Sequence, residues 1–425
     1  MKKALVFLLL ISFFWNVQAQ NPNWWPFVAL TRPYSPGVLW TDPQNNFLYV
    51  GGDYDSIANI EGNCISRFDG TTWWPMGAGF YGPGIHYVSC FAFYNGIIAG
   101  GYFTNSGNST VNNLATWNGS SWIPLGGGVN GRVYDLGVFN GELYVTGDFT
   151  MAGNVPVYHF ARWNGSNWNP VINNYSGYCY YMQVYNNDIY FADNNSIFKL
   201  NGGNPIAVAT LSSSSGPASV TCMKVFNNEL YVGGDFDLVN NQSANYIFRF
   251  DGNNCYDVGG VTFPYCIYPV NGMEVCGNDL FITGAFDTLN GNLPGNGFAI
   301  WNGNAWSTIG SGPYDGYGIR VFKGDIYASM RLGVMKYDST LTSLNKRTEV
   351  VLGIFPNPSA QKISIRLPLN KRISAVNFYD MNGNAVRRYS TALCQYDVSE
   401  FASGIYFVEV MAEDQQRYMG KFVKQ

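Results

Sequence analysis

Leu48-Tyr49-Val50-Gly51-Gly52 runs a short aliphatic and aromatic strand into a pair of glycines, and the chain repeats this phrase. Further copies are Ile97-Ile98-Ala99-Gly100-Gly101, Leu143-Tyr144-Val145-Thr146-Gly147, Ile189-Tyr190-Phe191-Ala192, Leu230-Tyr231-Val232-Gly233-Gly234, Leu280-Phe281-Ile282-Thr283-Gly284 and Ile326-Tyr327-Ala328. Their first residues lie 49, 46, 46, 41, 50 and 46 positions apart. A period in the forties built from strands predicts propeller blades. A lone four-stranded blade cannot bury both of its faces, so the copies must stack radially about an axis.

The stretch from Gly131 to Asn169 shows one whole blade. Val133 to Phe139 predicts a first strand, Asn140-Gly141 a tight hairpin turn, and Glu142 to Gly147 a second strand. A longer loop follows from Asp148 to Val157, then a third strand from Tyr158 to Trp163. Asn164-Gly165 turns the chain into a fourth strand, Asn167 to Val171. The second turn recurs as Asp69-Gly70, Asn118-Gly119, Asn201-Gly202, Asp251-Gly252 and Asn302-Gly303, with the weaker Asp338-Ser339. An aromatic precedes most copies, at Phe68, Trp117, Trp163, Phe250, Trp301 and Tyr337. Another follows at Trp74, Trp122, Trp168, Tyr256 and Trp306. Aromatics at fixed places in each repeat predict packing between neighbouring blades.

The last repeat lacks its fourth-strand tryptophan, while the start of the chain carries an orphan one. Trp24-Trp25-Pro26-Phe27 matches Trp73-Trp74-Pro75-Met76, with no third strand before it. The N-terminal strand is therefore expected to close the seventh blade and remove open sheet edges. Over Asn23 to Asn345 the repeats resemble the kelch family: a small pair ends the second strand, then come an aromatic and a tryptophan. Similar repeats occur in secreted bacterial proteins. The expected fold class is all-β, a seven-bladed kelch-like β-propeller over 20–345 followed by a small Ig-like β-sandwich.

Composition narrows the setting. Of 425 residues, 12% are charged, about half the usual share, and 17% are aromatic. A surface wetted by Asn, Ser, Thr and Gly suits an extracellular protein. A net charge of −4 argues against nucleic acid or an anionic membrane as the main partner. Residues 1–19 read as a signal peptide, with Lys2 and Lys3, an apolar run from Leu5 to Trp15, and small residues at Val17 and Ala19. No later stretch is apolar and long enough for a membrane helix. The eight cysteines include no CxxC pair. Cys255 and Cys266 flank one loop as a candidate disulfide, with buried thiols as the other open reading.

Composition shifts after Leu344, where residues 346–351 form a charged linker. Alternating Ile363-Ser364-Ile365, Val376 to Asp380, Asp397-Val398-Ser399, Gly404 to Val408 and Lys421 to Gln425 predict a small antiparallel sandwich over 352–425. Phe355-Pro356-Asn357-Pro358, a turn at Asn382-Gly383, the Asp397-Val398-Ser399 piece, Ser403-Gly404-Ile405-Tyr406-Phe407-Val408 and the ending Lys421-Phe422-Val423-Lys424-Gln425 closely resemble the type A sorting domain of the bacterial type IX secretion system. The resemblance implies export through the periplasm to the outer surface or the medium, with the secretion machinery as partner. It makes Pro356, Asn357, Pro358, Asp397, Gly404, Lys421, Phe422 and Lys424 the sorting signal. As the last strand, this ending is expected to turn Phe422 inward and keep Lys421 and Lys424 wet.

No catalytic set is recognisable. Asp53, Asp55, Glu61, Asp148, Asp235, Asp237 and Asp287 fall in the loops between second and third strands, where propeller pockets are expected to open. Asp53-x-Asp55 and Asp235-x-Asp237 could offer oxygen to calcium, but Asp after a strand more simply caps a turn. Of cofactors, calcium is thus the weak candidate. His86 and His159 lie far apart and no G-x-S-x-G elbow occurs, which argues against histidine catalysis. The expectation is non-catalytic binding of an extracellular glycan or protein. The alternative is a carbohydrate-active enzyme using loop carboxylates such as Asp53, Asp148 or Asp235.

Overall fold

The computed structural model describes residues 24–31, 35–44, 46–172, 175, 177–214, 216–262, 270–289, 293–295, 297–308, 316–330, 333–337, 353–355, 359–367, 372–380, 385–390, 393, 395–412 and 417–425. The expected signal peptide, the linker and the Pro356-Asn357-Pro358 piece lie outside the described residues. Strands and turns make up the described secondary structure, in two compact units, Met1–Ser343 and Leu344–Gln425.

In the first unit, sheets of four antiparallel strands follow one another along the chain. The third shows the plan: Val133–Phe139, Glu142–Gly147, Phe160–Trp163 and Trp168–Pro170, paired in that order. The first strands are Ser35–Thr41, Tyr87–Phe93, Val133–Phe139, Tyr181–Tyr185, Ser219–Phe226, Gly272–Cys276 and Gly316–Phe322. Each lies beside the next, and the last lies beside the first, so the ring closes. The fourth strand of the last sheet is the N-terminal Trp24–Thr31, paired with Gly333–Tyr337 from Trp24 opposite Tyr337 to Ala29 opposite Gly333. The expected closure by the N-terminal strand is what forms. Phe27 then packs against Tyr327 of the last blade and Phe68 of the first, with ring centroids 5.2 and 5.0 Å apart.

The core lies between blades. One apolar cluster joins Cys90, Ile98 and Leu114 of the second blade to Val133, Leu143 and Val145 of the third, and comparable clusters fill the other junctions. Glycine makes the junctions possible. A Cβ on Gly51 would stand 2.7 Å from Val88 Cγ1 of the next blade, and one on Gly100 would stand 2.6 Å from Val133 Cγ1. The first glycine of the repeated pair is thus the seat of the neighbouring blade.

The fourth-strand tryptophan ties blades by a hydrogen bond as well. Trp122 Nε1 donates to Met76 O at 3.1 Å, Trp168 to Gly126 O at 2.9 Å and Trp306 to Val258 O at 2.7 Å, each acceptor in the preceding blade. In the first blade this position belongs to Trp73, which pairs with Phe68 and is 8% exposed, whereas Trp74 is 47% exposed. Trp74 thus stands one residue past the position expected of it, as Tyr256 does in the fifth blade, where Phe250 pairs with Cys255. Cys255 is a free thiol at the tryptophan position, in line with the thiol reading; Cys266, its candidate disulfide partner, lies outside the described residues.

The second unit has one sheet of Gly353–Phe355, Lys362–Arg366 and Tyr396–Asp397, and another of Ala385–Tyr389, Ile373–Tyr379, Gly404–Ala412 and Arg417–Lys424. Side chains from both, among them Ile363, Val376, Phe378, Tyr396, Val408 and Phe422, form its core. Phe422 is fully buried and stacks on Tyr406 at 5.4 Å. Lys421 is exposed as expected, but Lys424 is only 8% exposed. The two-residue period of a strand puts 424 on the same side as 422, so both terminal lysines cannot face water. Lys424 Nζ donates to the Gln425 carbonyl oxygen. Asp397 accepts from Ser399 N at 2.9 Å and Ser399 Oγ at 2.6 Å, which caps its turn and holds its carboxyl below the usual range. Gly404 opens the strand that pairs with this ending, opposite Lys424.

Candidate binding site at the axial cavity

The loops between second and third strands do not make the cavity. Most fold into two-residue hairpins that reach across to the preceding blade. Ser56–Ile57 with Ile60–Glu61 pairs with Leu30 and Thr31, and Leu238–Val239 with Gln242–Ser243 pairs with Leu211 and Ser212. These loops are clamps between blades. Asp53 and Asp55 lie at the first clamp, Asp235 and Asp237 at the fifth and Asp287 at the sixth. Asp237 Oδ2 accepts from Ser214 N at 2.9 Å, and burial, with the nearby Asp237 charge, raises the Asp235 carboxyl. Among the described residues no group of three His, Cys, Asp or Glu could hold a metal ion.

A cavity of about 850 Å³ is framed by the first strands of all the blades instead. Asp53, Asp55, Asp148, Asp235, Asp237 and Asp287 do not line it; Asp135 and Asp193, which sequence reasoning passed over, do. One level of the wall carries charge on three successive blades. Glu274 Oε2 accepts from Lys224 Nζ at 2.8 Å and from Arg320 Nη1, while Arg320 Nε donates to Leu39 O at 3.1 Å. Burial pulls the Lys224 ammonium down despite this partner. The signal was legible once the repeats are aligned on their hairpins: Met223-Lys224-Val225, Met273-Glu274-Val275 and Ile319-Arg320-Val321 put the charged residue at one place. Asp135 accepts from Leu136 N at 2.8 Å and from Met182 N of the next blade at 2.9 Å. Burial pushes its carboxyl up to about 6, against those hydrogen bonds.

β-Bulges shape the wall above this level. The pairing of first and second strands shifts between Val88 and Cys90, Val133 and Asp135, Val220 and Cys222, and Gly316 and Gly318. A bulge leaves its extra residue out of the ladder and re-aims its side chain. Ser89 uses its hydroxyl to reach Val133 O of the next blade at 2.6 Å. At the same place in two other blades stand Tyr134 and Tyr317, which line the cavity.

Tyr87, Tyr134 and Tyr180 of the second, third and fourth blades line the cavity, and further aromatic and charged side chains gather against them at its mouth. Tyr87 faces Tyr102 at 6.3 Å, and the Arg132 guanidinium lies 5.1 Å from the Tyr102 ring. Asp148, the one predicted loop aspartate in this group, accepts from Arg132 N at 2.5 Å and Tyr134 Oη at 3.3 Å, with Arg132 Nε 3.9 Å away. Tyr134 stacks on Tyr180 at 5.0 Å, Tyr180 meets Tyr178 at 6.2 Å, and Tyr178 meets the His159 ring at 4.8 Å. Burial, and for Tyr134 the Asp148 charge, raises the phenols of Tyr134 and Tyr180, so they remain neutral hydrogen-bonding groups. His86, in the loop before Tyr87, has Nδ1 2.9 Å from Gly84 O.

Residues 353–425 match the secretion system C-terminal sorting domain. That tail directs the protein through the type IX secretion system, to the cell surface or the medium. No helix among the described residues is long and apolar enough to cross a membrane. Residues 227–253, from the first hairpin of the fifth blade through its third strand, match a β-propeller domain of unknown function. No curated protein matches the chain in sequence. Among solved structures the chain is similar to virginiamycin B lyase from Staphylococcus aureus, at 16% identity and a TM-score of 0.49, over 72% of this chain and 96% of that one. It is also similar to PorZ, a surface component of the type IX secretion system of Porphyromonas gingivalis, at 14% identity and a TM-score of 0.41 over 89% of this chain; it spans 58% of that one. BamB from Moraxella catarrhalis is similar at 10% identity and a TM-score of 0.34, over 70% of this chain and 80% of that one.

Proposed function

We propose that this protein is a seven-bladed, kelch-like propeller over residues 20–345, carried to the exterior by its tail through the periplasm, that binds an extracellular glycan or protein at the mouth of its axial cavity without chemical turnover. The observation that carries this reading is the arc of tyrosines with one matched Arg132–Asp148 pair at that mouth. A concave site lined by aromatics with a few placed polar groups is a binding site in form. The carboxylates nearest to it are engaged locally: Asp148 with Arg132 and Tyr134, Asp193 with Tyr175 Oη at 2.6 Å and the turn N–H groups of Asn195 and Ser196, and Asp135 with two backbone N–H groups. Such carboxylates hold loops and strands in place, which fits binding better than glycoside cleavage.

The test is the purified full-length protein on a glycan array and as bait against surface proteins, beside a panel of glycoside and polysaccharide substrates. The expected outcome is retention of a glycan or protein partner with no turnover. Turnover that is lost in Asp148→Asn or Asp135→Asn would establish the enzyme instead.

A further inference from the structure

We propose that the mouth over the second to fourth blades is a platform for an uncharged oligosaccharide, which lays a sugar face on the Tyr178–Tyr180–Tyr134 rings and hydrogen-bonds to the Arg132–Asp148 pair. This rests on the binding reading above and names its ligand class. A pyranose ring has an apolar face of C–H groups and a rim of hydroxyls. It therefore needs an aromatic surface beside polar groups that can both donate and accept. The mouth supplies these together. Tyr178 is 43% exposed, next to the stacked Tyr180 and Tyr134. Arg132 is half exposed, and of its five N–H donors Asp148 meets only Nε, at 3.9 Å.

Charge decides between sugar classes. Asp148 offsets Arg132, so the platform offers no surplus cation to a uronate or sulfate. The Tyr134 and Tyr180 phenols are uncharged groups at neutral pH, so it has no surplus anion either. Size decides between sugar and protein. A stable protein interface needs roughly 800 Å² from each partner around an apolar core. Here the aromatic surface is one arc of a cavity mouth, interrupted by the ion pair, and suits a few sugar rings.

The test titrates the full-length protein by calorimetry with neutral hexasaccharides of glucose, xylose and mannose, and with oligogalacturonate and heparin fragments. A neutral hexasaccharide should bind and the anionic ones should not. Tyr178→Ala, whose exposed ring leaves the fold intact, and Arg132→Ala should each weaken that binding roughly tenfold or more, as an aromatic or arginine hot spot does. Trp74→Ala, an equally exposed aromatic on an outer strand, should leave it unchanged, and thermal melting checks folding throughout. Neutral binding that survives both platform variants, or preference for the anionic fragments, overturns the proposal. If no sugar binds but a surface protein is captured, the proposal fails and the broader binding reading stands; if neither binds, both fail.

Discussion

At the scale of single residues, the repeat is explained by what each conserved-looking position in the seven phrases must avoid or satisfy. Gly51 and Gly100 are empty because the next blade's valine occupies the space a Cβ would need. The second glycine has a different reason: a Cβ on Gly101 would meet Tyr87 O of its own first strand at 2.1 Å. Where Ala192 stands at the first place, its small side chain still packs in one cluster with Val220 of the next blade. The residue before each third strand shows the same logic. Cys64, Asn113, His159 and Tyr246 have φ of 74°, 66°, 60° and 71°, a left-handed backbone that lets each carbonyl accept from the end of the second strand. His159 is therefore held by a repeated backbone need. Gly100→Ala should overpack the junction and lower stability by about 1–3 kcal/mol, read by denaturant unfolding. A variant as stable as the parent would show that the Val133 contact is looser than the geometry requires.

Asp135 adds a dependence on pH at this scale. Its carboxyl ordinarily titrates at 3.8 and is raised to about 6 in the fold, chiefly by burial. Between those values the folded protein holds a proton that the unfolded chain has released. The contribution of this group to stability is therefore full below 3.8 and is lost as pH rises through 6. Other carboxyls work the opposite way, Asp251 and Asp397 being lowered by the N–H and hydroxyl groups of their turns. The informative quantity is the stability of the parent minus that of Asp135→Asn, followed from pH 4 to pH 7. It should fall as pH rises; a difference that stays flat would mean Asp135 titrates normally.

At the scale of elements, the N-terminal strand carries more than its length suggests. It completes the last sheet through its pairing with Gly333–Tyr337, and its outer end pairs with Ser56 and Ile57 of the first blade. Phe27 bridges the two blades that the chain visits first and last. Without this strand, two edges of the ring lose their partners and become templates for association. Removing residues 21–30 should lower the melting temperature sharply and promote aggregation. An unchanged melting temperature would overturn this account of closure.

At the scale of the whole molecule, the two units divide the labour of folding and address. The second has its own core around Phe378 and Phe422, assembled from both of its sheets. Its terminal strand is fixed on both sides, by Gly404–Ala412 and by Ser359, whose N donates to Val423 O at 2.9 Å and whose O accepts from Gln425 N at 3.0 Å. Fusing residues 351–425 to an unrelated exported protein should carry it to the surface or medium of a host with the type IX system. Deleting Gly420–Gln425 from the full chain should stop export, because Phe422 leaves the core. Fractionation reads both, and normal export of the truncated protein without lysis would overturn the role assigned to that strand.

Local chemistry made much of this protein legible in one dimension. Strands, hairpins and the ring order are written in short phrases such as Leu48 to Gly52 and Asn164-Gly165, because turn geometry and strand alternation depend on neighbours in sequence. The tail was legible for the same reason. What failed was whatever depends on register or on a partner far along the chain. Trp73 and Trp74 are indistinguishable in sequence because two adjacent tryptophans point to opposite faces, and only pairing with Phe68 says which is inside. Lys424, whose charge alone suggests water, shares its buried face with Phe422. The candidate site moved furthest. Loop aspartates stand out in sequence, but the loops fold back as clamps, and the cavity is lined by first strands brought together only when the ring closes. Tyr87, Tyr134 and Tyr180 are about 46 residues apart and ordinary in their local sequence. Radial stacking alone sets them side by side, since neighbouring blades repeat the same strand at one distance from a common axis.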